Sequence, residues 1–392
     1  MKITFSTSHG DFKISKWNFN LSLIELCKLN KIPHHSVSFY GKKGTEYNLI
    51  VGLHNKLGDL LALFNEVILK PDRNIDYLNV VDRTLKIKKN SNPVSEYSFP
   101  STDGNELHHF EFSQLDCLTY VTKKVTEFLA NEVKIDPLKK IVLGISGGGD
   151  SNTLIASFIK SGLVNKAQLI GVMMLGIPDW DLGRSRAEEI CKDHDIEFQV
   201  VDPKTMNFLL GKPLERDWVE DFENIFPDAD LEVLGTHCIK LALKHIANEV
   251  NAQAVVTGLN LEDILAECFL TTIKGVLPPP FPIRRVDGLE FWHPLYKIPK
   301  KIIDGCYPKY SFQNYQERFP SRMIGRAIPY YLSQSMHTLI PGVEFDLLEG
   351  FKKLSDQNLN YGYNDTKLGF MTSEPIENEL KSKWKRFIEH GT

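Results

Sequence analysis

Six consecutive residues, Ser146, Gly147, Gly148, Gly149, Asp150 and Ser151, set three glycines between hydroxyls and a carboxylate. Glycines let backbone amides approach a ligand closely, and the positive end of a following helix completes an anion cradle. Ser146 and Ser151 add hydroxyl donors to it. The plainer alternative is a glycine turn capped by Asp150 or Ser151. The run is neither the GxxxxGKS/T pattern nor GxGxxG. Its flanks are the elements a cradle needs: Lys140–Ile145 (KIVLGI) reads as a buried strand and Ser151–Ser161 as a helix.

Beyond that point strands and helices alternate. Leu169–Met174, Glu197–Val201 and Ala254–Thr257 read as strands, and Arg184–His194 and Cys238–Val250 as helices. Short apolar strands separated by helices predict an α/β fold, a doubly wound parallel sheet covered on both faces, with ligands at the carboxyl ends of the strands. Upstream, KITFST and FKISKW alternate around the turn SHGD, SLIELCKLN has helical spacing, and VSFYG reads as a strand. Two strands, a helix and a strand resemble the ubiquitin-like β-grasp fold. We therefore expect a small α+β domain over 1–105 with a polar linker at 88–106, a nucleotide-type domain over 106–300, and a helical region over 301–392.

With 392 residues, 42% hydrophobic and 24% charged, the chain is long enough for several cores and is globular in composition. No stretch approaches a membrane span and the start, MKITFSTSHGDFK, lacks a signal-peptide core, so a cytoplasmic location with no membrane partner is expected. The six cysteines form no CxxC pair, which points away from a disulfide scaffold or a zinc knuckle. The formal net charge of -4 lacks the basic excess of proteins that grip long nucleic acids. Lys381, Lys383, Lys385 and Arg386 make a small cluster, read as a solvated helix end.

SGGGDS resembles the SGGxDS signature of the PP-loop, or N-type, ATP pyrophosphatase superfamily, whose fold is adenine nucleotide alpha-hydrolase-like. The resemblance implies ATP as substrate and adenylation of a carbonyl oxygen, with pyrophosphate released and AMP then displaced by a nucleophile. It assigns the pyrophosphate to Ser146, Gly147, Gly148, Gly149, Asp150 and Ser151, with Gly144 and Ile145 beneath the loop. Asp150 takes a catalytic and Mg2+-holding role, since magnesium prefers oxygen ligands. VVTGLNLEDILAECFL (255–270) resembles the GHxxDDxxET-type motif of the tRNA 2-thiocytidine and tRNA-lysidine synthetase branches. It contributes Gly258 on the nucleotide side and Asp263 as second metal ligand, while Leu259 stands where that family has His. Glu262 and Asp263 alone would read as the acidic first turn of a helix. FWHPLYKIPKKII (291–303) and residues 321–354 resemble the later segments of those enzymes, so the likeness runs over roughly 110–355. The end of the second strand, with Val172, Met173 and Met174, is the expected adenine side, the alternative being plain core. Arg322 and Arg326 could face a phosphate or make surface ion pairs.

Thiolating relatives use a persulfide cysteine or an iron–sulfur cluster. GTHCIKLALKHIANEV (235–250) resembles their cysteine segment, but Gly235 replaces the first cysteine of a CxxC, which disfavours a cluster. The segment also resembles the lone-cysteine stretch of tRNA thiouridylases. Cys238 is then expected at a helix N-terminus, where the helix dipole favours a thiolate, with His237 beside it. Cys306 is the expected partner and Cys268 the alternative; inert packing is the plain reading for any of them.

Three functions compete. The leading one is an ATP-dependent sulfurtransferase that thiolates a nucleobase. The acceptor is a free base or nucleoside such as guanine, or tRNA, and a sulfur donor such as a cysteine desulfurase supplies the sulfur. The second is an amide- or lysidine-type ligase with an amine nucleophile. The third is a partner-binding protein with a degenerate loop, its N-terminal module serving to dimerise or to dock a sulfur carrier.

Overall fold

The computed structural model describes residues 2–7, 10–30, 32, 34, 37–72, 84–103, 106–227, 231–286, 288–317, 324–358, 363–364, 371–372 and 378–389. The chain divides into two compact units, Met1–Asp82 and Arg83–Thr392.

The first unit contains β1 (Lys2–Thr7), β2 (Gly10–Lys13), α1 (Leu23–Leu29), β3 (Val37–Lys43), β4 (Glu46–Ile50), α2 (Leu57–Leu63) and β5 (Glu66–Pro71). Its sheet runs β2-β1-β5-β3-β4. β1 and β5 are parallel and the other pairs antiparallel, the β-grasp arrangement expected from the sequence. α1 starts at Ser22, whose hydroxyl accepts from the Glu25 amide while the Glu25 carboxylate accepts from Ser22 N. This reciprocal capping satisfies two backbone donors that a helix start leaves open. Leu23, Leu26 and Cys27 of α1 pack with Ile3, Val67 and Leu69 of the sheet.

The second unit opens with β6 (Thr84–Lys88), β7 (Ser95–Pro100), β8 (Glu106–Phe112) and α3 (Gln114–Asn131). Then come β9 (Ile141–Gly144), α4 (Gly149–Ser161), β10 (Leu169–Met174), α5 (Pro178–Asp181), α6 (Arg184–Asp193) and β11 (Glu197–Val201). They are followed by α7 (Pro203–Leu209), α8 (Trp218–Ile225), α9 (Leu231–Glu249), β12 (Ala254–Val256), α10 (Leu261–Ile273), β13 (Ile283–Val286) and β14 (Leu289–Trp292). The end of the chain adds α11 (Lys300–Cys306), α12 (Pro308–Glu317), α13 (Ile324–Leu339), α14 (Val343–Ser355), the short pair β15 (Tyr363–Asn364) and β16 (Met371–Thr372), and α15 (Asn378–Glu389).

The main sheet runs β11-β10-β9-β12-β14-β13. Its first five strands are parallel and β13 is antiparallel to β14. Because side chains alternate along a strand, each strand feeds two cores. Ile141 and Leu143 of β9 join one core, and Val142 the other. The first core lies under α3, α4 and α10 and the second under α8, α9 and α15. Strand order reverses between β9 and β12, which opens a crevice beyond their carboxyl ends.

Two expectations about organisation change. Residues 88–106, read as a linker, contain β7 and lead into β8, and β6-β8-β7 form a three-stranded sheet within the second unit. Its polar residues alternate with apolar ones: Tyr97 and Phe112 turn inward to the first core, and Ser95 Oγ donates to the Lys301 carbonyl. The helices after residue 300 also belong to this unit, since Ile302, Ile303, Cys306, Leu348 and Phe351 share that core. Lys381, Lys383, Lys385 and Arg386 lie on α15, which docks by Trp384 and Phe387.

Candidate active site

A cavity of about 420 Å3 lies over the carboxyl ends of β10, β9, β12 and β14, a volume within the usual range for small-molecule sites. Its floor is the turn from β9 into α4. Gly147 has φ +75°, the left-handed region that glycine adopts without a side-chain clash. A Cβ there would stand 2.3 Å from the Gly183 carbonyl oxygen. Gly149 is closed off similarly, its virtual Cβ 2.0 Å from Ser311 Oγ. Ser151 Oγ accepts from Ser146 N at 3.0 Å and lies 3.2 Å from Ser146 Oγ, tying the two ends of the turn together. Gly148 caps α4 without a side-chain partner, so the first amides of that helix are left for an anion.

Ser146, Gly148, Asp150 and Ser151 line the cavity, as do Gly144, Ile145, Met174 and Gly258. Gly147 and Gly149 shape the turn from behind. Met174 and Val172 sit at the end of β10 with Trp180 from α5 near them on the wall. At the other end Phe291 and His293, from β14 and just past it, line the wall. Thr257 Oγ1 is 2.8 Å from His293 Nδ1, and burial first, then Arg284 and Lys240, keep this imidazole neutral. Neighbouring strands are about 4.8 Å apart, so the two ends, three strands distant, are about 14 Å from one another.

Charge concentrates between them. Lys300 Nζ is 2.7 Å from Asp150 Oδ1 and also pairs with Asp304. Burial opposes the Lys300 charge, but the two carboxylates outweigh it and raise its pKa. Asp263 is pushed up to about 6 by burial and by Asp150 nearby, although the Asn260 amide donates to it at 3.1 Å. Glu262, also pushed up to about 7 by burial, accepts from the Lys300 amide at 2.8 Å. Two carboxylates lining one cavity fit Mg2+, which takes one or two protein oxygens and draws the rest from phosphates and water. Asp263 also caps α10 reciprocally with Asn260, so the structural reading of this acidic pair holds alongside.

The expected sulfur chemistry finds different geometry. Cys238 was expected at a helix N-terminus, but α9 begins at Leu231 and Cys238 lies two turns inside it. The dipole argument for a thiolate therefore lapses. The cavity-facing residues of α9 are Thr236, Ile239, Lys240 and Leu243, one helical stripe that omits Cys238. Its thiol is fully buried in the second core, and burial raises its pKa strongly. Cys306 lies in the first core, on the opposite face of the sheet, its thiol pushed up to about 12 by burial. The structure does not bring these two together, and Cys268 is likewise buried. His237 is held near 3 by burial and Lys240. Among the described residues no group of three or more His, Cys, Asp or Glu is placed to hold a metal. Arg322 lies outside the described residues, as does the side chain of Arg326.

Sequence reasoning did not single out Arg186, Lys300, Trp180, Asn314 or Glu317, all on the cavity wall. Lys300 alone left a trace, in the KIPKK run; the others sit at ordinary helical positions.

Residues 121–221 match a family model described as NAD synthase. No curated protein matches the chain. Among solved structures, a U34-tRNA thiolase from Methanococcus maripaludis, described with its 4Fe–4S cluster, is 17% identical with a TM-score of 0.49, over 65% of this chain and 83% of that one. An NH3-dependent NAD synthetase from Campylobacter jejuni is 15% identical with a TM-score of 0.35, over 68% and 100%. An NMN synthetase from Francisella tularensis is 13% identical with a TM-score of 0.34, over 71% and 94%. No helix of the described residues is long and apolar enough to cross a membrane.

Proposed function

We propose that this chain is an ATP pyrophosphatase of the PP-loop kind and transfers the adenylyl group of ATP to an oxygen of an acceptor in this cavity. The observation that carries the reading is the open amide cradle at the start of α4, facing one cavity with Asp150, Asp263 and Lys300. The backbone from Ser146 to Ser151 would take the pyrophosphate, and Val172, Met174 and Trp180 the adenine end. Asp150 and Asp263 would hold magnesium, which when bound neutralises phosphate charge. Lys300, freed from Asp150 as the phosphates arrive, would supply a further cation to them. The acceptor oxygen bonds to the α-phosphorus, and the α–β bridge bond breaks with its electrons leaving on pyrophosphate. A nucleophile then adds at the acceptor carbon, and the carbon–oxygen bond breaks to release AMP.

The nucleophile in this reading comes from outside the chain, because all six cysteines are buried. In its sulfur form the acceptor is a nucleobase carbonyl, in a free base or nucleoside such as guanine or in tRNA, and an external donor such as a cysteine desulfurase supplies the sulfur. The net charge of -4 supports the small acceptor. The amine form is favoured by the NAD synthase match over residues 121–221. The test is pyrophosphate release from MgATP with guanine, uracil or bulk tRNA, each with sulfide or with ammonium. The acceptor's mass then reports oxygen exchanged for sulfur or for nitrogen. A protein that binds no MgATP would sink the adenylation reading and revive that of a docking protein.

A further inference from the structure

Three polar residues of α12, Ser311, Asn314 and Glu317, recur at intervals of three and lie along one side of the helix. Each meets the loop at a different glycine. Ser311 Oγ abuts Gly149, where a Cβ would stand 2.0 Å away, and Asn314 abuts Gly148, with its side chain 3.1 Å from a Cβ there. Glu317 reaches Gly147 through Arg186, whose Nη1 donates to the Glu317 carboxylate and whose Nε donates to the Gly147 carbonyl at 3.0 Å.

Arg186 is only 8% exposed, yet it lines the cavity together with Asn314 and Glu317. Its Nη2 makes no hydrogen bond to a described residue, leaving two donors beside the loop. Ser311 Oγ is also shut off from solvent without a protein partner. A buried guanidinium is costly to desolvate and is retained where it is paired. Here one end is paired and the other is spare. The Gly147 carbonyl has a further consequence, because C=O and N–H of a trans peptide point in opposite directions. Arg186, by holding that carbonyl, turns the Gly148 amide the other way and fixes its direction.

We propose that α12 and Arg186 form the second wall of the pyrophosphate site: Arg186 orients the loop amides, and its spare donors with the Asn314 amide contact the β- and γ-phosphates. The proposal rests on the adenylation reading. It makes this wall the part of the site that distinguishes ATP and pyrophosphate from AMP, whose single phosphate does not reach it. Glu317 competes with the phosphates for the guanidinium.

The test is calorimetric titration of the full chain with MgATP, magnesium pyrophosphate and AMP, with melting curves for every variant. In Arg186→Gln, affinity for MgATP and pyrophosphate should fall about ten- to hundredfold, the range for one charge-assisted hydrogen bond. AMP affinity should stay within about threefold, and Arg186→Lys should recover part of the loss. Glu317→Gln should tighten MgATP a few-fold. Equal loss of ATP and AMP in Arg186→Gln, or no loss of either, would overturn the proposal. Should that variant not fold, Asn314→Ala decides: about a fivefold selective loss supports the second wall and an unchanged MgATP affinity removes it. A wild-type chain that binds neither nucleotide refutes the adenylation reading itself.

Discussion

Gly147→Ala is the sharpest perturbation of the loop. Its φ of +75° costs an L-residue roughly 1–2 kcal/mol. The new Cβ would lie 2.3 Å from the Gly183 carbonyl oxygen, against the 3.0 Å below which real Cβ atoms are essentially never found. Backbone must therefore shift by about 0.7 Å, on one side or the other of the contact. That shift pulls the Gly147 carbonyl from Arg186 Nε, a charge-assisted bond of roughly 1.5–3 kcal/mol. The two costs together come to about 3 kcal/mol or more, and they fall on the conformation that presents the amides. MgATP affinity should accordingly drop at least about a hundredfold, measured by isothermal titration beside a thermal melt. Gly211→Ala is the control: it has a similar positive φ of +70° with nothing within 4 Å of its Cβ, so it should lower stability by roughly 1 kcal/mol and leave ATP binding alone. A Gly147→Ala protein that binds MgATP within threefold of wild type would refute the reasoning that this backbone geometry makes the cradle.

Two further outcomes follow from burial. With Cys306 pushed up to about 12, only about one thiol in 10^5 is a thiolate at neutral pH, and burial raises the equally enclosed Cys238 thiol as well. Cys238→Ala and Cys306→Ala should each lose roughly 1 kcal/mol of stability by creating a void yet retain adenylation and turnover with an external nucleophile; abolished turnover in a folded Cys238→Ala protein would restore the persulfide role. Burial works to raise the Asp221 pKa, but hydrogen bonds from Arg216 and Lys212 overcome it and hold the carboxyl near 2 against an ordinary 3.8. A depressed carboxyl stabilises the fold fully above about pH 4 and loses that contribution as pH falls toward 2, here about 2 kcal/mol. The stability gap between wild type and Asp221→Asn, from denaturant melts at pH 2–6, should narrow over that interval; a gap independent of pH would show that the ion pair is not the source.

The segments with strong local signals were legible in the sequence. Strand periodicity around residues 141–144 and 169–174, helical spacing after the loop, and the glycine run itself are set by neighbours along the chain, and each lies where it was expected. The sequence of strands and helices also carried the parallel sheet, because short apolar strands with helical crossovers have few other ways to bury themselves. Where α9 begins was not legible. The family likeness placed that start at Cys238, which lies seven residues into the helix and is turned away from the cavity into the second core. Nor could spacing separate Cys238 from Cys306 by the thickness of a sheet, since the face a helix covers is decided by the direction of its crossover and by how it packs. The same limit hid the wall around the loop. Arg186 and Glu317 are 131 residues apart, and only the packing of α6 and α12 on one turn makes a pair of them. Sequence determined that a glycine turn leading into a helix follows β9. Tertiary structure decided what surrounds it: acids, a lysine and a guanidinium on the cavity wall, and thiols in the core, because burial and contact depend on how distant elements pack rather than on which residues adjoin.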